Sequence, residues 1–305
     1  MLFMQQAMIP HTALFFAMLF WGSSFIALKV ALTAFTPWEL MAGRMAVASL
    51  IFIPVLPQLW RTLRNKGGWG LITLMVISEP CLYFVFETQA LLYTSAAQAG
   101  MLVSVLPLVV ALMAFVFLRE RTSPRTWCGL CLAGAGVVVL SAGGVATESS
   151  PAPLLGNILE GIAMCCATVY TLCARTLSLR YTALEITAMQ VFAGLSFFGM
   201  TALLPLPAQL VTLPMPIAPW LPVASIIYLG TVVTFGGYGL YNYGIQRLSA
   251  GQAAAYTNLM PVIGLVLGVC LLEESFTAVQ YAASLVVIAG VCISQQSSYK
   301  ANKSS

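Results

Sequence analysis

Long apolar runs broken by short polar stretches organise this chain, and ten of the runs approach the roughly 20 residues that a helix needs to cross a bilayer. They lie near 12–33, 38–58, 70–93, 96–118, 126–143, 156–175, 183–204, 221–244, 250–272 and 278–295. Hydrocarbon offers no partner to a bare backbone amide, so each run is expected as a helix that satisfies its own hydrogen bonds. Spans and connections use nearly the whole chain, and no segment remains for a soluble domain. The longest breaks, "GGVATESSPAP" at 143–153 and the proline-rich "PLPAQLVTLPMPIAP" at 205–219, read as surface loops, the first joining two halves. The opening "MLFMQQAMIPHT" has neither a positively charged start nor a small-residue cleavage site, so the first span is expected to be retained.

The pattern occurs twice. "SAAQAGMLVSVLP" at 95–107 is echoed by "SAGQAAAYTNLMP" at 249–261, and "TPWELMAGRMAVASLIF" at 36–52 by "TALEITAMQVFAGLSFF" at 182–198. The second match, at an offset of 146, pairs Thr36 with Thr182, Glu39 with Glu185 and Lys29 with Arg175. At an offset of 154, Pro107 meets Pro261, Glu120 meets Glu274 and Gly136 meets Gly290. The added positions fit the longer loop at 205–219. We therefore divide the chain into a first five-helix repeat at 11–144, a linker at 145–155, a second repeat at 156–296 and a tail at 297–305. A tandem unit with an odd number of spans must insert its second copy upside down, the ground plan of many transporters. A structural membrane protein with a chance duplication would show the same echo.

Composition agrees with a membrane protein: 60% of the 305 residues are hydrophobic and 7% charged, too apolar for a water-soluble globule. With a cytoplasmic N-terminus, the loops after even-numbered spans carry Arg61, Arg64, Lys66, Arg119, Arg121, Arg125, Arg175, Arg180 and Arg247, and the tail adds Lys300 and Lys303. Only Lys29 and Arg44 fall elsewhere, so the positive-inside bias places both termini in the cytoplasm. "RER" at 119–121 becomes "EES" at 273–275, as opposite orientation of the copies requires. The net charge of +4 is spread thinly and forms no patch for nucleic acid.

Several stretches carry a family resemblance: "FWGSSFIALKVAL" at 20–32, "LPLVVALMAFVFLRER" at 106–121 and "YGIQRLSAGQAAAYTNLMPVIGLVLGVCLLEESFTAVQYAASLVVIAGV" at 243–291. With the five-plus-five layout, the chain resembles the EamA branch of the drug/metabolite transporter superfamily over nearly its whole length. The resemblance implies export of a small solute, in a multi-pass protein of the bacterial inner membrane. One departure is visible: the family's second copy usually carries a tryptophan where the repeat pairs Trp21 with Ala167. Trp21 is accordingly a candidate for the pathway, whose second side is expected to be shaped differently.

Ionisable groups within hydrocarbon cost at least about 2.5–3.5 kcal/mol each on insertion scales, which makes interior ones functional candidates. They are Arg44, Glu79, Glu87 and Glu160. On a continuous third helix Glu79, Tyr83 and Glu87 recur every four residues and share a face. In one reading Glu79 or Glu87 exchanges a proton or meets a substrate amine while Arg44 meets a carboxylate. In the other, Arg44 and Glu87 form a permanent ion pair between helices, or both snorkel to the interface. Glu160 falls about a turn inside its span and is expected to be wet. Gln98 and Gln252 are repeat partners suited to either solute contact or helix–helix hydrogen bonding. Pro107 and Pro261 are expected to kink their helices. Leu102, Val103 and Ser104 of the first copy become Tyr256, Thr257 and Asn258 in the second, and the eighth span adds Tyr238, Tyr241 and Asn242. An aromatic, weakly polar cavity suits amphipathic solutes such as neutral or aromatic amino acids, although tyrosines also populate interfacial belts. Glycines and alanines at 129–139 and 282–291 read as close helix packing.

Absent residues narrow the chemistry. All 9 acidic residues are glutamates and His11 is the single histidine, which removes aspartyl-protease, aspartate-rich prenyl-transfer and most zinc sites. "CGLC" at 128–131 stands alone among the 8 cysteines, and no phosphate-binding loop occurs. The expectation is a secondary transporter without enzymatic activity or cofactor. It would move a small-molecule substrate through the lipid bilayer by alternating access, with proton coupling through Glu79 or Glu87 as one mode and facilitation as another. Multidrug or organic-cation efflux is the alternative within the fold; a non-transporting sensor or assembly protein is the alternative outside it. Substrate and oligomeric state are not legible in the chain.

Overall fold

A computed structural model of the chain describes residues 2–118, 123–206, 209–248, 253 and 256–301. We label its helices α1 (Leu2–Ala31), α2 (Pro37–Lys66), α3 (Trp69–Tyr93), α4 (Ala96–Leu102 continuing through Val103–Val105 into Leu106–Leu118), α5 (Pro124–Ala142), α6 (Pro153–Leu177), α7 (Ala183–Thr201), α8 (Leu221–Arg247), α9 (Thr257–Leu272) and α10 (Ala278–Ala301). Among the described residues, eight helices are long and apolar enough to cross a membrane, and two shorter apolar stretches lie at Thr257–Leu272 and Ala278–Gly290. The chain is a multi-pass, all-helical membrane protein.

The helix starts follow from local chemistry, and they recur at the sequence offsets. Thr36 caps α2 while Glu39 reaches back to the Thr36 amide at 2.9 Å; Thr182 and Glu185 do the same for α7 at 2.8 Å. Such a cap contributes about 1 kcal/mol. Short 3-10 turns, Val103–Val105 and Thr257–Leu259, precede Pro107 and Pro261. The imide nitrogen cannot donate, so both helices tighten one turn earlier.

Lys29 and Arg175 also repeat their roles. The Lys29 ammonium, wholly buried, donates to the carbonyls of Leu91 and Thr94 at the end of α3 and to Ser149 in the linker. Arg175 donates to Ile245 O and Gln246 O at the end of α8. Each supplies hydrogen bonds and positive charge where a helix leaves its last carbonyls bare. Glu274 performs the converse service, accepting from Ala96 N and Ala97 N at the start of α4. Its repeat partner Glu120, with Arg119 and Arg121, lies outside the described residues.

Hydrogen bonds sort the loops to two ends. At the linker end, Val211 N donates to Leu32 O, Ala152 N to Tyr93 O, and Glu274 holds the start of α4. At the opposite end Tyr181 donates to Gly67 O, and Lys66 donates to Arg180 O while lying 3.8 Å from Glu185. Small residues bring α5 and α10 together as expected: a side chain on Gly136 would begin 2.8 Å from Val287, and one on Gly290 2.6 Å from Gly129 O.

Four features add to or change what the sequence suggests. The second helix does not stop near 58 but resumes after Ile53–Val55 as Leu56–Lys66, a charged surface helix that buries Leu59. The tenth runs through Ala301 into the expected tail, which contains no proline or glycine to stop it. The loop at 205–219 is more than a surface connection, because Val211 is buried against the core. Finally, α3 is not continuous: it widens at Ile77–Leu82, and Glu79 has extended φ and ψ of −150° and 120° immediately before Pro80. A comparable wide stretch in α8, Leu229–Tyr238, contains Gly230, Gly236 and Gly237. Such interruptions often accompany functional sites in helices.

Candidate functional site

The two interruptions face a common cavity of about 40 Å³ near the middle of the bundle. Trp21 of α1, Arg44 of α2, Glu79, Tyr83 and Glu87 of α3, and Tyr238 of α8 all line it, so six sequence candidates share one space. Tyr238 donates its hydroxyl hydrogen to Glu79 Oε1. Tyr83 donates to Glu87 Oε1 at 2.8 Å, one helical turn along the same helix, while Glu87 Oε2 has no partner. The break in α3 re-aims Glu79 without removing it from the face shared by Tyr83 and Glu87.

Arg44 reaches the cavity differently from either expectation. Its Nε donates to Thr234 Oγ1 at 2.8 Å and its guanidinium lies 4.2 Å from the Phe84 ring centroid. No ion pair joins it to Glu87 or Glu79 among the described residues, and at 2% exposure it does not snorkel. A static Arg44–Glu87 staple is therefore not how this structure holds the charge. Instead a hydroxyl and an aromatic face position the cation.

Aromatic rings form the remaining wall. Trp21 lies 4.8 Å from both Tyr238 and Tyr241, and its Nε1 hydrogen has no acceptor. Behind them, Tyr170 donates to Asn242 Oδ1 at 2.7 Å, and Asn242 donates to Thr187 Oγ1 at 3.0 Å, tying α6, α7 and α8 together. Sequence reasoning missed Phe84, Tyr170 and Thr234. Tyr170 lies three residues beyond Ala167, the repeat partner of Trp21, and both line the cavity. An aromatic residue one turn from the expected position was the available signal.

Other candidates lie elsewhere. Gln98 is not at the cavity; its Oε1 accepts from Asn157 Nδ2 at 3.0 Å, and the residue borders a larger cavity of about 430 Å³ at the linker end. Tyr256 is half-buried, with its hydroxyl 2.8 Å from His11 Nδ1, and Asn258 is buried with Oδ1 unpartnered. Neither lines the central cavity, although neighbouring Thr257 does. Gln252 lies outside the described residues. Glu160 is not wet: it is fully buried, because α6 begins at Pro153 and places it two turns inside.

A family model described as the EamA-like transporter family matches the chain twice, over residues 8–142 and 154–295. The chain belongs to the EamA-like transporter family. It is a transporter and not an enzyme. This EamA-like chain is 26% identical over 290 residues to an uncharacterized transporter of Archaeoglobus fulgidus, covering 90% of this chain and 94% of that one. It is 28% identical to a probable terminal-alkyne amino-acid exporter of Streptantibioticus cattleyicolor, covering 92% and 91%. It is 26% identical to a probable amino-acid metabolite efflux pump of Salmonella typhimurium, covering 90% of each. A protein crystal structure at 19% identity matches 95% of the EamA-like chain and 98% of its own with a TM-score of 0.68, a likeness of fold.

Proposed function

We propose that this transporter exports a small amphipathic metabolite, foremost a neutral or aromatic amino acid, across an inner membrane by alternating access, with protons exchanged through Glu79 or Glu87. The observation that carries the proposal is the meeting of one cation, two carboxylates and an aromatic wall in a cavity lined by helices from both sequence halves. A zwitterion's carboxylate would face Arg44, its ammonium Glu87 Oε2, and its side chain the rings of Trp21 and Tyr241. The names of the Streptantibioticus and Salmonella relatives support that solute class.

The cavity of about 40 Å³ has room for about three water molecules. An amino acid needs more, so solute binding in this cavity requires the helices to part. The wide turns of α3 and α8 and the 3-10 turns of α4 and α9 are the places where that change costs least. We further propose ten spans in two inverted repeats with both termini cytoplasmic. The recurring caps and the gathering of alternate loops at one end support this topology, and the clustering of Arg and Lys at the opposite end supports an outward-facing linker end.

Organic-cation efflux draws support from the excess of carboxylates over Arg44. One experiment separates the readings: express wild type, Glu87→Gln and an empty vector in bacterial cells, and measure solutes in the medium by mass spectrometry. Amino acids accumulating only with wild type support the proposal. Resistance to cationic drugs without amino-acid release favours the alternative. In proteoliposomes, pH-gradient dependence should vanish in Glu79→Gln or Glu87→Gln; unchanged dependence in both removes the coupling.

A further inference from the structure

Glu160 is the buried charge that the central cavity leaves unused. It has 0% exposure, and neither carboxylate oxygen finds a hydrogen-bond partner. Together with Glu87 Oε2, three carboxylate oxygens on α3 and α6 are buried without partners. One turn before Glu160, Gly156 packs directly against Ala90 O and Thr94 at the end of α3, so Glu160 lies against the turn of α3 that carries Glu87. Two like charges held close together in a low-dielectric interior disfavour each other, a cost that one bound proton removes.

Its position on α6 gives the group a direction. Met164, Ala167 and Thr171 turn one face of α6 to the central cavity. Glu160 continues that face four residues before Met164, about 6 Å toward the linker end, and Asn157 lies about 4.5 Å beyond it. Asn157 in turn bonds Gln98, which borders the larger cavity. Glu160 thus lies between the two spaces.

The facing groups leave nothing to neutralise it. From α3 these are Glu87 and Tyr83; residues 96–113 of α4 contain no ionisable side chain. Arg125, Cys128 and Cys131 belong to the far end of α5, while Tyr238 and Tyr241 of α8 lie near Tyr170 and Thr171, more than two turns along α6. At the linker end, the Lys29 ammonium has all three hydrogens committed to carbonyls.

We propose that Glu160 is a second proton-binding carboxyl that shares one proton with Glu87 and lies on the route between the central cavity and the larger cavity. In the transfer, the O–H bond on Glu160 breaks as one forms on the Glu87 carboxylate, and the negative charge passes to Glu160. The inference rests on the transport reading and adds a residue to its proton route.

The test is infrared difference spectroscopy of the purified full chain in lipid vesicles, titrated with pH and read at the carbonyl stretch of protonated carboxyls. Glu160→Gln should abolish one band and shift another, and Glu87→Gln should abolish the shifted band and displace the first. A Glu160→Gln spectrum identical to wild type, or one missing a band with no effect on Glu87, overturns the proposal. Should Glu160→Gln fail to fold, Glu160→Asp decides: a displaced band supports shared binding, and an unchanged spectrum refutes it. The spectra need no solute, so an absence of amino-acid export by wild type would count against the proposed function alone.

Discussion

Replacing Lys29 with methionine keeps the buried stem and deletes the ammonium. In the structure its three hydrogens are bound at 2.7, 2.6 and 2.7 Å to Leu91 O, Thr94 O and Ser149 O, with no exposure to solvent. Hydrogen bonds from a charged donor contribute about 1.5–3 kcal/mol each, and a buried acceptor left without one costs about 1–3 kcal/mol. Ser149 is half-buried in the linker and its carbonyl can turn to water, so two acceptors bear most of the loss. Relief of the ammonium's own desolvation offsets part of it. The net expectation is a loss of about 2–5 kcal/mol, or a melting temperature lower by about 4–20 °C, taking roughly 2–4 °C per kcal/mol. With exposed cysteines blocked, a thiol-reactive dye reports unfolding in detergent through the buried Cys81 and Cys173. Lys29→Arg should recover part of the loss. Arg175→Met should cost less, because that side chain is half-buried and its second bond is 3.4 Å long. A Lys29→Met melting curve that overlays wild type would refute the reasoning and show that water already serves these carbonyls.

Two further expectations concern the site and its scaffold. Tyr238→Phe removes the donor to Glu79, a loss of about 1–3 kcal/mol, read as roughly five- to hundredfold lower transport kcat/KM at equal abundance; unchanged kinetics would remove Tyr238 from the site. Gly136→Val drives a side chain into Val287 and the Ala283 carbonyl at about 1–3 kcal/mol, lowering thermal stability, whereas Gly161→Ala, with open space around it, should melt like wild type.

How much of this was legible depends on the range of the interaction. The capping boxes at Thr36 and Thr182 lie within four residues of sequence, so their recurrence was readable as text. So were the prolines, since a missing donor acts on its own turn. The reach of Arg44 was not readable: both expectations looked to its neighbours at similar depth, but Thr234 lies 190 positions away. The place of Gln98, away from the central cavity and bonded to Asn157 of another helix, was unreadable for the same reason.

By itself the sequence determined that the chain crosses the bilayer as helices, that its pattern occurs twice, and which few charges enter the apolar interior. Those conclusions follow from hydrophobic length and from the cost of burying ions, which act on each segment separately. Only the tertiary structure decided that Trp21, Arg44, Glu79, Tyr83, Glu87 and Tyr238 share one cavity and that Glu160 stands apart from it without a partner. Helix rotation and the breaks in α3 and α8 set which side chains meet, and packing between distant segments fixes both.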